Sequence, residues 1–170
     1  MLNFPIDQTM VDNLISCSKE IVKPFPRDYR IQNRQKRKVL KAISFDGKFN
    51  FEIQFHQHVD FDDHFSVLLS VIHLNPNIPR ILLFRANSNH GGTRGRKSHI
   101  EHHNMPHIHM ISANDINNGN VDNPQPIDLN PPYVNFDSAL LFFFKRCNII
   151  NFKEYFDLNN QLDWFGELYD

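Results

Sequence analysis

The stretch Phe49-Asn50-Phe51-Glu52-Ile53-Gln54-Phe55-His56 alternates large apolar with polar side chains at every step. A period of two is that of a β-strand with one face in a core and the other toward water. Asp46-Gly47 stands just before it, a pair favoured in tight hairpin turns because both residues tolerate positive φ. Residues 39–45 and 49–57 are therefore expected to form one antiparallel hairpin. Further strands follow at 65–74 and 79–87, with the turn Asn75-Pro76-Asn77 between them. After a polar insert at 88–105, residues 106–112 return to the sheet.

The flanks read as helix. Met10, Val11, Leu14, Ile15, Ile21 and Val22 recur at helical spacing, Asp7 or Thr9 can cap them, and Pro24 and Pro26 stop the run. Residues 1–24 are thus an N-terminal helical part. Asp137 can cap a second helix through Ala139, Leu140, Phe143 and Phe144 to about Cys147, and a short helical stretch follows at 151–158. The run Leu141-Phe142-Phe143-Phe144 is apolar on every side, so this helix is expected to be buried against the sheet. Residues 113–135, rich in Asn, Asp and Pro, read as loop. The fold class is α+β: a central antiparallel β-sheet over 37–112, with an N-terminal helix and a C-terminal helical part (137–158) packed on it, in a single domain of 1–170.

With 170 residues, 41% of them hydrophobic, and a net charge of −1, the composition is that of a folded domain rather than a charged tail. No run reaches the ~18 apolar residues of a membrane span, and MLNFPIDQTM lacks the features of a secretory signal, so a cytoplasmic protein is expected. Two cysteines, Cys17 and Cys147, cannot build a disulfide framework. Residues 23–41 carry eight basic side chains against the single acid Asp28. A solvated linker and strand edge accounts for that excess, and a patch for acidic protein or phosphate is the functional alternative.

Histidine is the unusual component: ten in all, six of them between 90 and 109. His56, His58, His64 and His73 read as scattered sheet or surface residues. In Pro106-His107-Ile108-His109-Met110, His107 and His109 project to one side of a strand, about 6.5–7 Å apart at the backbone, while Ile108 and Met110 face the core side. Two imidazoles so placed can converge on one ion. His90 lies just past the neighbouring strand, and Cys147 ends the helix that must cover the sheet. Because zinc takes four nitrogen or sulfur ligands in tetrahedral array, the expected site is a closed Zn2+ centre of His90, His107, His109 and Cys147. His99, His102 and His103 in the insert are the substitutes for any one of them. Such a zinc would staple the last helix to the sheet.

Leu82-Leu83-Phe84-Arg85-Ala86-Asn87, His90, Pro106-His107-Ile108-His109-Met110 and Phe143-Phe144-Lys145-Arg146-Cys147-Asn148-Ile149 together resemble an uncharacterised family of small bacterial and phage proteins, over residues 65–150. The resemblance implies that His90, His107, His109 and Cys147 belong to one constellation. The chain departs from the pattern at Ala86, where the family has an acidic position, and in its longer, more basic insert. A fold-level similarity to metal-containing anti-CRISPR proteins implies a non-enzymatic inhibitor that binds a host defence nuclease in the bacterial cytoplasm. Arg34, Lys36, Arg37, Lys38, Arg94, Arg96 and Lys97 would then be secondary contacts to nucleic acid. The alternative is enzymatic. Pro-His-x-His near Arg85 and Asn87 also looks like the small TumE-type toxins of toxin–antitoxin pairs. In that reading the chain is a histidine- or metal-dependent ribonuclease, with the histidines as acid and base and Arg85 or Arg94 on the developing charge.

Overall fold

The computed structural model describes residues 6–24, 28–61, 63–75, 77–89, 101–156 and 158. Helix α1 (Gln8–Ser16) starts at Asp7, whose carboxylate accepts the backbone N–H of Met10 at 2.7 Å. It is shorter than its apolar spacing implies. The chain leaves the helix at Cys17 and enters strand β1 (Lys19–Ile21), which pairs with β3 (Gln35–Ser44). Ile21, whose spacing also suits a helix, is buried opposite Ala42, and the Asn151 side chain satisfies its backbone, accepting from its N–H at 2.8 Å and donating to its carbonyl at 3.1 Å.

Strands β2 (Arg30–Gln32), β4 (Asn50–His58), β5 (Phe65–Asn75), β6 (Ile78–Asn87), β7 (His107–Met110) and β8 (Pro126–Asp128) complete an antiparallel sheet in the order β1-β3-β4-β5-β6-β7-β8, with β2 on the first half of β3. The β3–β4 hairpin forms as expected, but its turn is looser. Only Gly47 takes positive φ, at 74°, and Asp46 instead accepts hydrogen bonds from Ser44 Oγ at 2.7 Å and the Lys48 N–H at 3.2 Å. Residues 113–135 are not all loop. Helix α2 (Ala113–Asn117), with a Ser112–Asp115 capping box, and edge strand β8 lie there, both too short to show a period. Helix α3 (Phe136–Arg146) is capped by Asn135 rather than Asp137.

The main core lies on one face of the sheet, while on the other Ser70, Leu82, Asn87, His107 and His109 are buried toward the β7 edge. Leu40, Ala42, Phe51, Ile53, Phe55, Val67, Leu69, Phe84, Ala86 and Ile108 share a buried core with Val11, Leu14 and Ile15 of α1 and the phenylalanines of α3. Phe55 meets Phe136 and Phe144 edge-on at 6.4 Å, and Phe84 meets Phe143 at 5.9 Å. Lys19 fastens the ends of both helices. Fully buried, its ammonium donates to the carbonyls of Ile15 and Cys17 at 2.8 Å and of Cys147 at 3.0 Å. Its positive charge thus lies against the negative ends of both helix dipoles. Among the described residues no helix is long and apolar enough to cross a membrane.

Candidate functional site

Residues directly opposed across antiparallel strands share a face. The side of the sheet away from α1 and α3 therefore carries two rows that end in polar side chains. One runs Arg37, His56, Ser66, Asn87, His107 across β3 to β7. The next runs Val39, Gln54, Leu68, Arg85, His109 across the same strands. The helices lie on the opposite face, so the histidine pair belongs to the outer surface of the sheet.

At the β6–β7 end the rows close into a buried polar cluster. The rings of His107 and His109 stand 4.9 Å apart and 65° to each other. Both are buried, at 0% and 4% exposure. His107 Nδ1 lies 2.8 Å from the carbonyl of Met105 and His109 Nδ1 lies 2.7 Å from that of Pro124. A carbonyl only accepts, so both Nδ1 atoms carry hydrogen and both Nε2 atoms are the basic nitrogens. His107 Nε2 accepts from Asn87 Nδ2 at 3.0 Å. His103 stacks on His107, with ring centres 5.8 Å apart and planes at 17°.

Arg85 sits directly across from His109, and its Nε–H finds no acceptor among the described residues. Asn87 Oδ1, on a side chain only 1% exposed, likewise has no partner among them. Burial lowers the Arg85 pKa from its usual value. The Tyr133 hydroxyl reaches the carbonyls of Asn87 at 2.8 Å and His107 at 3.1 Å, pinning the chain before α3 to the ends of β6 and β7. Its pKa is raised well beyond the ordinary phenol value, chiefly by burial. Farther along the row, the His56 pKa is lowered by burial first and then by Arg37, Arg85 and Arg80.

Three of the four residues expected to hold zinc are described, and Cys147 lies apart from the two histidines. His107 and His109 come together, while His90 lies outside the described residues, as do Arg94, Arg96, Lys97 and His99. Cys147 is not brought to the pair. It is fully buried in the apolar core at the end of α3, on the helix side of the sheet, and burial pushes its thiol up to about 12. Its carbonyl is held by Lys19 on β1, and four strands separate β1 from β7. Among the described residues no group of three or more His, Cys, Asp or Glu side chains gathers to hold a metal ion. The expected zinc staple therefore has no support there, and the reason is parity: Ile108 is in the core, so His107 and His109 must face away from α3.

The basic run divides in the same way. Arg37 lies on the outer face, whereas the Lys38 ammonium turns inward over the Tyr29 ring at 4.8 Å from its centre. Arg34 pairs with Asp60 near the far end of β4. Tyr133 and the His56 row escape a reading by motif, because their partners are distant in sequence. Register alone connects them.

Fold and site define an α+β protein with a buried histidine pair and a half-buried arginine at one end of the sheet face away from α1 and α3. No protein-family model, no curated protein and no solved structure matches the chain.

Proposed function

We propose that this chain cleaves RNA phosphodiesters, with His107 and His109 as the acid–base pair and Arg85 as the anion-stabilising group. The observation that carries the reading is the cluster itself: two imidazoles 4.9 Å apart, each with Nδ1 tied to a backbone carbonyl, beside a guanidinium whose Nε–H has no acceptor among the described residues. Groups that cost stability where they lie are those that a site retains for binding or chemistry.

RNA carries its own nucleophile, so a base and an acid suffice. One Nε2 takes the proton of the 2′-hydroxyl, and that oxygen attacks the adjacent phosphorus. The bond from phosphorus to the 5′-oxygen breaks, and the other imidazole, protonated, gives its Nε2 proton to the leaving oxygen. The products are a 2′,3′-cyclic phosphate and a free 5′-hydroxyl. Charge building on the phosphoryl oxygens meets the Arg85 Nε–H. Asn87 suits either state of His107, because its amide donates to the neutral ring through Nδ2 and a flipped amide would accept from the protonated ring through Oδ1.

The same Nδ1–carbonyl bonds also orient imidazoles for metal ligation through Nε2, so an open divalent-metal site on His107 and His109 is the second reading. Inhibition of a defence nuclease by protein binding draws no support from a buried polar pair, which a docking surface does not need. The test is cleavage of a fluorophore-labelled RNA oligonucleotide. Substituting either histidine by alanine is expected to slow it by about 10²–10⁴-fold, and activity in a chelator separates the acid–base form from the metal form. Wild-type protein without cleavage, or His107→Ala with full activity, overturns the reading.

A further inference from the structure

We infer that the outer sheet face is a phosphate track, along which a single RNA strand runs from the His107–His109 cluster across β6, β5 and β4 to Arg37 on β3. The inference rests on the cleavage reading and adds the shape of the substrate. Register carries it. Arg37, His56 and Ser66 form the partly exposed length of one row, Asn87 and His107 are its buried end, and Arg85 flanks that end in the next register. Ser66 is small and central, which leaves the row low in its middle.

Charge points the same way. Arg37, Lys41, Arg80 and Arg85 belong to this face, with Glu52 opposite Lys41, Glu20 opposite Ile43 and Asp122 near Arg80 as acids beside them. The Arg37 guanidinium is already fixed, because Nε and Nη2 both donate to Gln35 Oε1, at 3.3 and 2.9 Å. Its other donors have the planar geometry that suits a phosphate. Burial first, then the Arg37, Arg85 and Arg80 cations, lower the His56 pKa from its usual value. An anion in their midst reverses that balance, and the ring also offers a surface on which a base can stack.

Length follows from geometry. Four strand spacings of about 4.8 Å separate Arg37 from His107, roughly 19 Å in all. A stacked strand advances about 3.4 Å per phosphate, so the track takes about five or six nucleotides.

The experiment uses the full chain and two probes: an uncleavable 2′-O-methyl hexanucleotide for binding, by fluorescence anisotropy, and a ribodinucleotide for cleavage. Arg37→Ala is expected to weaken hexanucleotide binding several-fold and to lower the log–log salt slope by about 0.7, the share of one phosphate contact on a single strand. His56→Ala is expected to weaken binding as well. Wild-type affinity and salt slope in both variants would overturn the track, as would tighter binding of a duplex than of the single strand or no binding of the hexanucleotide by wild type. Arg37-dependent binding without any cleavage leaves the track standing and removes the catalytic reading. Cleavage with Arg37-independent binding does the reverse.

Discussion

One buried and one half-buried cation, Lys19 and Arg85, should respond in opposite directions to the same substitution. Lys19 is fully enclosed, and its ammonium serves three carbonyls, those of Ile15, Cys17 and Cys147. Lys19→Met removes the donor and strands those oxygens at two helix ends. A buried acceptor left without its donor typically costs about 1–3 kcal/mol. Arg85 is half-buried, and its Nε–H has no acceptor among the described residues. A buried donor without a partner costs about 1–3 kcal/mol, and Arg85→Met removes that cost while keeping the stem's packing beside Leu68. We expect Arg85→Met to raise stability by about 1–2 kcal/mol, which in a chain of this length is a Tm increase of about 2–8 °C. Urea titration with unchanged slope and thermal melts would read both variants. Arg85→Met should also abolish RNA cleavage, and inorganic phosphate that stabilises wild type should cease to stabilise the variant. A fall in stability for Arg85→Met comparable to that of Lys19→Met would refute the reasoning and make Arg85 a structural residue.

His56 should give stability a pH dependence of defined sign. Its folded pKa lies below the usual 6.5, so the unfolded chain takes up the proton first. Stability is then unaffected above pH 6.5 and falls as pH drops from there through the folded pKa, by at most about 1.4 kcal/mol per pH unit. His56→Gln should flatten that fall in urea midpoints compared at pH 7.5 and 5. Cys147→Ser places a hydroxyl in an apolar core and should cost about 1–3 kcal/mol, yet leave metal content and cleavage unchanged. Loss of bound zinc by a folded Cys147→Ser protein in elemental analysis would restore the four-ligand centre. Tyr133→Phe removes the hydroxyl that spans Asn87 and His107, and should lower Tm by about 2–4 °C, for about 1 kcal/mol, while slowing cleavage.

What could be read in advance was governed by range. The alternation from Phe49 to His56 yields strand β4, and the Asp46-Gly47 pair fixes which strand it folds back on. Helix α3 is visible because eleven residues hold several turns of apolar side chains. Lys19–Ile21 escapes because Ile21 fits helical spacing from α1 and strand spacing against Ala42 equally well, and only the distant β3 decides between them. Edge strand β8 and helix α2 escape for lack of length. At the site, His107, His109, Arg85 and Asn87 are legible as chemistry, but Tyr133 reaches them from 26 residues beyond His107. No local pattern announces that contact.

The four-ligand zinc centre finds no support among the described residues, for a reason that the sequence already contained. If His107 and His109 share one face of a strand, Ile108 and Met110 share the other, and an apolar helix seeks the apolar side. A residue at the end of that helix then lies across the sheet from the histidines, however well its chemistry suits the ion. Ile108 in the core with Phe84 and Ala86, and Arg85 and Asn87 opposite the two imidazoles, express that parity. Ligand type and spacing are therefore insufficient to assemble a centre from a strand and a helix, because the side of the sheet must agree as well. Applied to the outer face, the same rule unites groups that no motif joins. Arg37, His56, Asn87 and His107 come from four strands, and their common face is what makes a site that processes one anionic strand a coherent reading of all of them.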